Sequence, residues 1–102
     1  MDYKYLASKI GIDEEDFMEL AELFIATTLS DLDKIKQGVS KNCPQDAAAA
    51  SHSIKGAAGN MGFDAIFVLA KKMEVEAKAG SLENFDAHIK DLETQVKALT
   101  TN

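Results

Sequence analysis

The sequence predicts an all-α fold, an antiparallel up-down bundle of four long helices with a short N-terminal leading helix. Three observations predict it. Ala, Leu, Lys and Glu are frequent, and the single Pro and most of the six Gly sit at or near segment boundaries. Apolar residues recur at spacings of three and four along each segment, with no alternation of the strand type. The breaks between segments are short, which sets neighbouring helices antiparallel.

Asp2 to Ile10 forms the leading helix, closed by Gly11. Asp13 is an N-cap residue, and Glu14, Glu15 and Asp16 fill a first turn where the helix dipole favours negative charge. Phe17, Leu20, Ala21, Phe24, Thr28, Leu32, Ile35 and Val39 then mark one face of a long amphipathic helix. Asn42-Cys43-Pro44 is the next break, with Pro44 suited to a first helical position because its missing N–H costs nothing there. The second long helix runs to about Met61, and Gly62 caps it. Asp64 is placed as the cap of a third, with Ile66, Leu69, Ala70, Met73 and Ala77 on its buried face and Gly80 at its end. Ser81 is placed as the cap of a fourth, whose stripe is Leu82, Phe85, Ile89, Leu92, Val96 and Leu99.

The 102 residues suffice for one core, so residues 1–102 are read as a single domain. A net charge of −6 argues against nucleic acid or an anionic membrane surface as partner. No apolar run reaches the length of a membrane span, and the N-terminus lacks a signal-peptide pattern. Cys43 stands alone, which excludes an internal disulfide and a Cys-rich metal site. A cytoplasmic, reduced, monomeric protein is expected.

The second long helix carries an anomaly. Its core stripe is Ala47, Ala50, Ser51, Ile54, Ala57, Ala58 and Met61, centred on Ile54. His52 lies two residues back, roughly 160° around the helix, and points away from the core. Gln45, Ala48, Ala49, Lys55, Gly56 and Gly59 all fall within about 60° of it. An ordinary solvated face holds Glu, Lys and Gln, whereas this one is Ala and Gly with one cation. Each internal Gly costs about 1 kcal/mol relative to Ala. Such a flat surface lets a partner approach the imidazole closely.

A neutral imidazole is a good nucleophile, and its ordinary pKa of about 6.5 leaves a large neutral fraction in the cell. A phosphoryl group on His52 would sit mid-helix, where the dipole gives no help, and Lys55 at i+3 can reach it. Between His52 and Gly80 four lysines (Lys55, Lys71, Lys72, Lys78) face three acids (Asp64, Glu74, Glu76), a local +1 in a chain of −6.

His52-Ser53-Ile54-Lys55-Gly56-Ala57-Ala58 resembles the pattern of the histidine-containing phosphotransfer (HPt) family: His, any residue, Leu or Ile, Lys, Gly and two small residues. Gly59-Asn60-Met61-Gly62 is similar to the family's usual continuation. The resemblance implies that His52 accepts a phosphoryl group through Nε2, that Lys55 stabilises it, and that Ala48, Ala49, Gly56 and Gly59 form the docking surface. Family members often set a polar residue of the next helix against the ring. Glu74 falls there by spacing, flanked by Lys71 and Lys78; it would hold the imidazole N–H yet repel a phosphoryl group. The implied function is a phosphocarrier in a multistep His–Asp phosphorelay, without kinase activity of its own. The implied partners are response-regulator receiver domains, which bring the Mg²⁺, and a hybrid histidine kinase. The chain itself needs no cofactor and no metal.

A lone exposed histidine is ordinarily a surface residue, and an Ala/Gly face also suits packing by a partner helix, a second copy or the leading helix, which would make the protein a non-phosphorylated interaction module. Gly56, Gly59 and Gly62 match neither phosphate-loop spacing, and no strand precedes them. A haem or metal bundle would use His52, His88 or the four Met, but His52 faces outward and the ligand spacing of bundle metal sites is missing. His88, next to the core residue Ile89, is expected to be solvated or at the boundary. Cys43 is expected to be a small residue at a turn, and the acidic Asp13–Asp16 run a helix-start feature.

Overall fold

The computed structural model describes residues 2–100 and contains five helices: α1 (Tyr3–Ile10), α2 (Glu14–Ser40), α3 (Pro44–Met61), α4 (Asp64–Lys78) and α5 (Phe85–Thr100). Asp2 and Asp13 cap α1 and α2 by accepting from the backbone N–H of Tyr5 and Asp16. Gly62 adopts the left-handed conformation at φ 74° and lets α3 turn directly into α4. Gly38 serves a different end. A Cβ there would lie 3.1 Å from Ala47 N, so its absence lets the end of α2 close against the start of α3.

The core collects one stripe from each helix. Phe17, Leu32 and Ile35 of α2, Ile54 of α3, Met73 of α4 and Phe85 and Leu92 of α5 are fully buried. Phe17 and Phe24 pack their rings on Phe63, and Tyr3 on Phe17, at centroid separations of 5.0–5.9 Å. This aromatic group locks the two-residue α3–α4 turn under α1. The Tyr3 hydroxyl donates to the Leu99 carbonyl, and Lys9 pairs with Asp64 at 3.0 Å, so α1 is tied to the Gly62 end of the bundle. No described helix is long and apolar enough to cross a membrane.

Three expectations are corrected. Asp64 is the first residue of α4, not its cap; Phe63 occupies the cap position, where burial in the core decides the turn, and the Asp64 carboxylate serves Lys9. Ser81 does not cap the last helix. Its N–H bonds the Glu76 carbonyl and that of Gly80 the Ala77 carbonyl, finishing α4, and α5 begins only at Phe85. Leu20, placed on the buried face of α2, is 43 % exposed, because it sits at the edge of a stripe centred on Phe17, Phe24 and Thr28.

Candidate functional site

Ile54 of α3 is fully buried, and helical geometry therefore turns His52 outward; its side chain is 66 % exposed. The leading helix does not cover it, being tied to the far end of α3. Beside it on α4, Glu74 is buried, with its side chain only 4 % exposed. One carboxylate oxygen, Oε2, lies 2.8 Å from His52 Nδ1 and 3.1 Å from Lys78 Nζ. The other, Oε1, accepts from Lys55 Nζ at 2.7 Å. A buried carboxylate is tolerable when donors surround it. Lys55 does most to hold the Glu74 carboxyl down at about 2; burial pushes the other way, and Lys78 and His52 add to the lowering.

That ionised group can only accept hydrogen bonds. Nδ1 must then carry the ring proton, and this assignment of the tautomer leaves the Nε2 lone pair free. Its carboxylate partner also meets positive charge that develops on the ring when Nε2 attacks an electrophile.

On the other flank, the Ser53 hydroxyl donates to Asp31 Oδ2 of α2 at 2.8 Å, and Lys34 Nζ lies 3.8 Å from Oδ1. Asp31 is buried. Buried carboxylates from α2 and α4 thus grip the one turn of α3 that bears the histidine. Sequence reasoning missed Asp31 and Ser53. A signal existed: Asp31 falls between Thr28, Leu32 and Ile35, on the buried side of α2.

The small-residue face divides. Gly56 is exposed, and a Cβ added there meets nothing within 4 Å. Ala49 is exposed as well. Gly59 is exposed on its outer side, but an added Cβ would lie 3.3 Å from the Phe67 ring, so it also admits α4. Ala48 is only 7 % exposed, which corrects its placement on an open surface: it floors the α3–α4 seam. Ala57, placed in the core stripe, is half-buried. Lys71 is exposed and stays outside the Glu74 cluster, whereas Lys78 joins it. His88 is not solvated. It is buried, its Nε2 is 3.0 Å from Glu76 Oε1, and its ring stands edge-on to Phe85. Among the described residues no group of three or more His, Cys, Asp or Glu is arranged to hold a metal ion.

Comparison with known proteins agrees with this architecture. The family profile described as "Hpt domain" matches residues 19–102. Among solved structures, the chain is similar to the histidine-containing phosphotransfer protein B (HptB) from Pseudomonas aeruginosa PAO1, with a TM-score of 0.78 and 25 % identity over 97 % of this chain and 86 % of that one. No curated protein matches the chain. An all-α bundle of this form, with a profile match spanning most of its length, makes the chain a member of the Hpt domain family of phosphorelay phosphocarriers, which are not kinases.

Proposed function

We propose that His52 is the phosphoryl acceptor and that it exchanges the group with aspartates of response-regulator receiver domains, one of them belonging to a hybrid histidine kinase. The observation that carries this reading is the exposed ring whose Nδ1 is engaged by an ionised, buried Glu74. In the forward step the Nε2 lone pair attacks phosphorus of an aspartyl phosphate. The N–P bond forms, the P–O bond to the aspartate breaks, and the carboxylate leaves with the electron pair. No proton moves. The ring becomes a phosphoimidazolium with Nδ1–H still donated to Glu74, and the same cation makes a good leaving group when the next aspartate attacks. Lys55 and Lys78 share their charge between Glu74 and the incoming phosphoryl oxygens. Gly56 and Ala49 leave room for the receiver, on which the Mg²⁺ is expected. The cytoplasm is the proposed place of action.

The test is incubation with a radiolabelled phosphoreceiver. Label is expected on the wild type and not on His52→Gln; label on His52→Gln, or on neither, refutes the assignment.

A further inference from the structure

The seam between α3 and α4 is treated differently on the two sides of His52. Toward the C-terminal end of α3, Phe67 fills it against Gly59. Toward the N-terminal end it is empty. A trough of about 610 Å³ runs there, floored by Ala48 and Ala77 and edged by Pro44, Gln45, Ala49, Lys78 and Gly80. Both floor residues are buried and carry only a methyl group. The trough ends at His52 and Glu74, whose polar atoms already bond one another. Nothing polar on its floor asks for a hydrogen bond, and the trough is open along the surface, so it suits part of a larger partner more than an enclosed small molecule.

We propose that this trough seats an apolar side chain of the receiver domain docked on His52, and so helps to select which receivers the protein serves. The proposal rests on the phosphorelay reading. Its ground is continuity: an aspartyl phosphate must come within bonding distance of Nε2, and a domain brought that close to the ring also covers the trough that opens beside it. Lys78, whose side chain is 67 % exposed on the rim, offers a cation to an acidic group of the docked domain.

Two measurements test it. The first compares labelling of wild type and Ala48→Met, whose longer side chain fills the trough, by a phosphoreceiver and by phosphoramidate. The latter is a small donor whose P–N bond breaks as the His52 N–P bond forms, releasing ammonia. The receiver-to-phosphoramidate rate ratio is expected to fall about tenfold; an unchanged ratio overturns the trough assignment alone. A wild type that takes label from phosphoramidate but from no receiver overturns the phosphorelay reading and the trough with it. The second needs no variant and decides the matter if Ala48→Met does not fold. Amide resonances of Ala48, Ala49, Ala77 and Gly80 are expected to shift when a beryllofluoride-activated receiver is added. Shifts confined to Gly56–Asn60, or shifts at the trough that grow with the protein's own concentration, overturn the proposal.

Discussion

Replacing Glu74 by Gln removes one charge from the centre of the site and leaves its shape. In the wild type this carboxylate takes donors from Lys55 at 2.7 Å, His52 at 2.8 Å and Lys78 at 3.1 Å. Its pKa falls from an ordinary 4.5 to about 2. Taken whole, that displacement is about 3 kcal/mol at about 1.36 kcal/mol per pH unit. The side chains of Lys55 and Lys78 are 25 % and 67 % exposed, so solvent screens part of it. About 1–2 kcal/mol remains after that discount. For a domain of this size that is a drop in Tm of about 5–15 °C at neutral pH. The sign follows from the lowered pKa. The stabilisation is fully present above the unfolded value of 4.5 and is lost as pH falls towards about 2. Thermal melts of both proteins, followed by circular dichroism at pH 7 and pH 3, read the difference directly. The gap in Tm should shrink by more than half at pH 3, because the unfolded chain is protonated there while the folded one is only beginning to be. Equal gaps at both pH values, or none at pH 7, refute the account of Glu74 as an ionised hub.

Gly56→Gln should leave stability unchanged or raise it by up to about 1 kcal/mol, since the position is helical and open, while slowing transfer from a receiver by about tenfold or more. Gly59→Ala is the contrast: its Cβ meets Phe67, so no such gain in melting temperature is expected, and a full gain would show the α3–α4 contact to be loose. Lys55→Ala should shorten the phosphohistidine lifetime or slow transfer by about tenfold, the scale of one charge-assisted hydrogen bond; unchanged decay and transfer would remove its role. Ser53→Ala leaves the buried Asp31 carboxylate without its hydroxyl donor and should cost about 1–3 kcal/mol in denaturant unfolding. A midpoint equal to the wild type would show that bond to be unimportant.

The outward setting of His52 was legible in the sequence because it depends on one helix only. A rise of about 100° per residue relates His52 to Ile54 whatever surrounds them, and the same periodicity marked Phe17, Met73 and Leu92 as core. The motif after the histidine and the chain length then pointed to the family. Partnerships between helices are another matter. Periodicity gives no interaxial distance, offset or crossing angle, and these decide which side chains meet. The tertiary structure alone shows that Glu74 ties up Lys55 and Lys78 as well as His52, that Asp31 reaches Ser53, and that His88 is buried against Glu76. It alone turns Ala48 from open surface into the floor of a seam, because α4 lies across that side of α3 and Phe67 fills only one end of the gap. Helix ends fell between the two. Asp13 caps as its side chain dictates, while Phe63 holds a cap position that core packing assigned to it.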